Sequence, residues 1–144
     1  MRQVSRVLVL GLLTTSIVRA PAGASSADES RYQIPPDQVA KVEREALLGD
    51  AKAAHRLFGR AALSGAPVDS KETTFWLTVA AENGHPVAQY NLGAMLLGRA
   101  DRREQVRAEY WLARAAKAGD ESAARLLKRL RKGELPRPTQ PAGR

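Results

Sequence analysis

Trp76 returns as Trp111, thirty-five residues on, and the rest of the sequence keeps step with it. Phe75 matches Tyr110, Leu77 matches Leu112, and Ala80-Ala81 matches Ala115-Ala116. The same offset links Gly49, Gly84 and Gly119, then Ala53, Ala88 and Ala123, then Leu57, Leu92 and Leu127. A ladder of this period marks a chain built from stacked copies of one supersecondary unit.

Each copy is a pair of helices. Ala88, Leu92, Met95 and Leu96 fall at i, i+4, i+7 and i+8, which is one face of a helix, and Leu77, Ala80, Ala81 and Leu112, Ala115, Ala116 repeat the pattern on second helices. Composition agrees: 44% of residues are apolar but only 5% aromatic, a core of Ala and Leu suited to close helix packing rather than to a sheet. The length of 144 residues favours one domain.

Glycine after Asn83 and after Ala118 suits left-handed caps, and Asp50 and Asp120 suit N-caps of the helices that follow. Asp69 with Glu72, and Asp101 with Glu104, have the spacing of capping boxes, and Pro86 fits a first turn. The expectation is six helices over 36–48, 51–63, 70–83, 86–98, 103–118 and 120–132.

The run Ala88-Gln89-Tyr90-Asn91-Leu92-Gly93, with Trp76 and Ala80-Ala81-Glu82-Asn83-Gly84-His85 before it, resembles the Sel-one-like repeat, a relative of the tetratricopeptide repeat. Tyr110-Trp111 and Ala115-Ala116-Lys117-Ala118-Gly119-Asp120 carry the same pattern, so the resemblance covers 36–132. It departs in the loops, where the family's glycine-rich turn is reduced to Gly65 with Pro67 and to Gly98. The resemblance implies an all-α fold, a right-handed superhelical solenoid of antiparallel helix pairs, with a concave surface that grips a protein or peptide. Some cysteine-rich relatives are linked to hydrolysis of cell-wall-related substrates, but this chain has no cysteine.

The ends read differently. Arg2 and Arg6 precede an apolar run from Val7 to Val18, too short to span a bilayer, and Ala22-Gly23-Ala24 has the form of a cleavage site. Residues 1–24 are therefore expected to be a signal peptide cleaved after Ala24, giving a periplasmic or secreted protein with no transmembrane segment. Residues 25–35 read as a disordered linker and 133–144 as a proline-rich tail.

Without cysteine, disulfides are excluded and stability must come from packing. The formal charge of +8 is uneven: residues 1–24 hold three arginines and no acid, and 125–144 hold seven basic residues against Glu134, which leaves the repeat body near neutral. Nucleic acid is therefore not the expected partner.

No constellation for catalysis is visible. His55 and His85 stand thirty residues apart in different parts of the repeat. No Ser sits in a strained elbow, no glycine loop cradles phosphate, and Glu43, Glu45, Glu82 and Glu109 read as solvated helix-face charges. Neither a cofactor nor a metal is expected, and the chain is read as a non-enzyme.

A binding face is sought instead on the first helix of each pair. Tyr90 lies two residues past Ala88, about 200° round the helix and opposite its apolar stripe. The repeat offset makes His55 and Arg125 its equivalents, and Gly59, Ala94 and Arg129 follow one turn on. The expected partner site is His55, Tyr90, Ala94, Arg125 and Arg129, since Tyr and Arg dominate binding hot spots. The alternative is an anionic polymer or surface (cell-wall glycan, lipid head groups or nucleic acid) held by Arg125, Lys128, Arg129 and Lys132, a stripe that also suits a polar terminal cap.

Overall fold

The structure, a computed structural model, describes residues 30–65, 67, 69–99 and 101–135. The expected leader over 1–24 and residues 136–144 of the expected tail fall outside the described residues. Among the described residues the regular elements are all helical: a 3-10 turn at Pro36–Gln38, then α1 Val39–Leu47, α2 Ala51–Leu63, α3 Lys71–Glu82, α4 Pro86–Leu97, α5 Arg102–Lys117 and α6 Glu121–Arg131. None of these helices is long and apolar enough to cross a membrane.

The six expected helices are all present, with ends shifted by three residues at most. The first starts late because Pro35-Pro36 leads into a 3-10 turn before the α-helical ladder closes. Glu104 does not complete a capping box on the Asp101 side; its carboxylate pairs with Arg107 at 3.3 Å and Arg99 at 3.8 Å. In α3 the N-cap is Ser70 rather than Asp69, with Ser70 Oγ accepting from the Thr73 N–H at 3.2 Å and donating to Thr73 Oγ1 at 2.8 Å. Serine caps as well as aspartate does, and Thr73 is buried, which fixes the start one residue later.

The repeat is visible in backbone geometry. Gly49, Gly84 and Gly119 have φ of 107°, 92° and 93°. At each, the glycine N–H returns to the carbonyl three residues back, at 3.1, 3.1 and 3.0 Å, and the next N–H reaches five residues back, at 3.0, 2.9 and 3.0 Å. This is the Schellman arrangement, in which a left-handed residue satisfies the last free carbonyls of a helix. The residue after each glycine caps the following helix: Asp50 accepts from the Lys52 and Ala53 N–H groups, His85 Nδ1 from Ala88, and Asp120 from Ala123. Three helix-to-helix joints of one design thus stand thirty-five residues apart.

Packing runs between chain neighbours, α1 on α2, α2 on α3 and so on to α6, with α4 against α5 the most extensive contact. One apolar cluster extends from Ile34 to Trp111, and a second, of Leu112, Ala115, Ala123 and Leu127, lies under α5 and α6. The close α4–α5 approach depends on Gly93. A Cβ there would stand 2.8 Å from Leu112 Cγ and 3.2 Å from the Ala108 carbonyl oxygen. Leu112 is fully buried and has nowhere to move. Gly93→Ala is therefore expected to cost about 1–2 kcal/mol in thermal melts, although alanine is the better helix former.

Candidate interaction site

The N-caps Asp50, His85 and Asp120 set a common register for α2, α4 and α6. Five residues past each cap come His55, Tyr90 and Arg125; nine past come Gly59, Ala94 and Arg129. Along this series cover decreases from the N-terminal end. Gly59 is buried, His55, Tyr90 and Ala94 are half-buried, and Arg125 and Arg129 are exposed.

The cover at the first position is the chain itself. The 25–35 segment read as a linker packs, in its described part, on α2: Ile34 is 8% exposed and belongs to the core. A turn closed by the Gln33 N–H on the Ser30 carbonyl, at 3.2 Å, brings Tyr32 over α2. The Tyr32 ring sits where a Cβ on Gly59 would be and meets His55 edge-on, centroids 5.7 Å apart. The Arg56 guanidinium donates to the carbonyls of Arg31 at 3.2 Å and Gln33 at 3.4 Å.

His55 and His85, distant in the sequence reading, are stacked, with centroids 3.9 Å apart and planes 14° from parallel. The repeat explains the contact: a residue near the start of α2 meets the N-cap of α4, the next helix in the same register. Burial depresses the His55 pKa to about 4, with His85 and Arg31 adding repulsion. His85 is lowered as well, by burial and then by Lys52. His85 Nδ1 accepts from the Ala88 N–H at 3.4 Å, so the neutral ring carries its proton on Nε2.

Tyr90 is not turned wholly away from apolar surroundings. It packs beside the second cluster, formed by Leu112, Ala115, Ala123 and Leu127. The 200° offset turns Tyr90 away from α4's own stripe, whereas α5 and α6 supply a further wall. Next to it Asn91 is 1% exposed, and its amide N and O have no hydrogen-bond partner among the described residues.

At the open end the Arg125 guanidinium is held on its own helix, by Glu121 at 3.3 Å and Ser122 Oγ at 3.2 Å. Lys132 pairs with Glu134 at 3.5 Å. Of the four-residue cationic stripe, only Lys128 and Arg129 have no acidic partner among the described residues.

The arrangement offers an aromatic surface, two neutral imidazoles and cations at one end. Among the described residues no three or more His, Asp or Glu side chains gather as metal ligands. No family model, curated protein or solved structure matches the chain.

Proposed function

We propose that the chain is a Sel-one-like repeat protein, wound as a right-handed solenoid and exported by the leader at 1–24, that binds a protein or peptide along the face of α2, α4 and α6 without catalysing a reaction. The observation that carries this reading is the joint repeated at Gly49, Gly84 and Gly119. Units joined by one geometry are related by one rotation, and successive copies of one rotation generate a solenoid. The α2, α4 and α6 positions then form a continuous inner column, with Tyr90 at its centre and Arg129 at its open end.

In this reading the half-buried Tyr90 supplies a rigid ring to the partner, and Arg129 a free guanidinium. With a partner purified on the wild-type protein, Tyr90→Ala is expected to weaken binding about fivefold or more, equivalent to about 1 kcal/mol. It also costs stability, about 1–2 kcal/mol, because the ring rests against the second cluster. Binding is therefore measured well below the melting temperature. Arg129→Ala should leave melting unchanged and weaken binding in a salt-sensitive way. A partner that binds both variants as it binds wild type would remove this face from recognition. Binding that collapses steeply with salt and ignores Tyr90 would instead mark an anionic polymer held by the last helix.

A further inference from the structure

The contact between Tyr32–Ile34 and α2 has the parts of a binding site. Gly59 leaves a seat for an aromatic ring, since any side chain there would fill the space that the Tyr32 ring takes. His55 forms one wall of the seat. Two residues on, Ile34 enters the apolar core. The Arg56 guanidinium holds the backbone on either side of Tyr32, by the carbonyls of Arg31 and Gln33. Recognition through main-chain carbonyls is independent of sequence, while the two side-chain seats select an aromatic and an aliphatic residue.

The segment does not fill its surroundings. An open hollow of about 490 Å³ lies beside it, lined by Tyr32, Gln33, Ile34, Arg60, Leu63 and Ser64. Leu63, at its edge, is 54% exposed. Outside α1 and α2, then, this region holds a few residues on a surface larger than they cover.

We propose that α2 carries a peptide-binding site which Tyr32 and Ile34 occupy in cis, and that its partner is a short segment of another protein bearing an aromatic residue and, two positions on, a branched aliphatic one. The site belongs to the face proposed above, so the inference rests on that reading. The intramolecular segment acts as a built-in competitor. If it is seated nine-tenths of the time or more, the apparent affinity for a partner is reduced about tenfold or more.

The test uses the full chain and a labelled synthetic hexapeptide with the sequence from Arg31 to Pro36. Tyr32→Ala weakens the internal competitor and is expected to bind this peptide about tenfold more tightly than the unmodified protein does. Adding Gly59→Leu, which blocks the ring seat, should abolish that binding, as should replacing the peptide's tyrosine by alanine. Equal affinity for the unmodified and Tyr32→Ala chains, or binding indifferent to Gly59→Leu, would overturn the proposal.

A second measurement needs no variant. In the unmodified protein the Gln33 amide should exchange its hydrogen through local opening, at least tenfold faster than the buried Leu57 amide of α2. Exchange of both only with global unfolding would show a permanent structural cap and would also overturn the proposal. Neither measurement involves Tyr90. Failure here with Tyr90-dependent partner binding intact counts against the α2 site alone, whereas loss of both removes the whole face.

Discussion

Trp111→Ala is expected to destabilise the protein by about 3–5 kcal/mol, lowering the melting temperature by about 10 °C or more. The ring is 6% exposed and belongs to the larger apolar cluster. Its chain neighbour Leu112, fully buried, belongs to the smaller cluster. Tyr110 meets it edge-on at 4.9 Å, and the Arg114 guanidinium lies 5.8 Å from its centroid. The hole left by alanine cannot close easily. Gly93 already brings α4 and α5 as near as Leu112 permits, so the helices have little further to collapse. Urea and thermal melts on wild type and variant measure the loss, and an unchanged transition would mean that the indole is solvated and the repeat register wrong. Trp76, 7% exposed and with Phe75 edge-on at 4.8 Å, repeats the geometry one unit earlier. Its replacement is expected to act in the same direction.

That repeated geometry explains which parts of the protein were legible in the sequence. Gly49, Gly84 and Gly119 and the paired Trp positions occur at the thirty-five-residue offset, and the N-caps Asp50 and Asp120 at twice it, so every copy supports the reading of the others. What lay outside the repeat was not legible in this way. Tyr32 and Ile34 have no counterpart in a later unit, and the proline pair after them suggests a linker. Nothing local shows that Gly59, twenty-seven positions from Tyr32, leaves room for its ring. The His55–His85 stack was missed for a related reason. The repeat offset pairs equivalent places within a unit, whereas contacts between units join different places, here the fifth residue past one cap and the next cap itself. At the other end, Arg125 stands in the register of Tyr90 on α6 but is held on its own helix. Glu121, one helical turn before it, takes up the charge that the column was expected to offer.

The same histidine stack makes stability depend on acid. His55 in the folded protein has a pKa of about 4, against 6.5 for an ordinary histidine. Burial is the first cause, and His85 at the start of α4 and then Arg31 from the N-terminal segment add to it, while Lys52 on α2 acts on His85. The uncharged rings of Tyr32 and Phe58, 5.7 and 5.8 Å from His55, complete its surroundings. Between these two pKa values the unfolded chain binds a proton that the folded chain refuses, so stability rises with pH across that window. In the other direction, stability present above pH 6.5 is lost as pH falls to about 4, and the loss levels off below. Its full size is about 3 kcal/mol, a large part of a small domain's total. His85, also lowered, adds to the effect in the same sense. Carboxylates titrate in the lower part of this range too, so the measurement is a difference. Urea unfolding at pH 7 and pH 4.5 is compared for wild type and His55→Gln, which fills similar space and takes no proton. Wild type is expected to lose about 2 kcal/mol more than the variant over this interval. Equal losses in both would mean that the His55 ring is open to water, and the close stack on His85 would have to be abandoned.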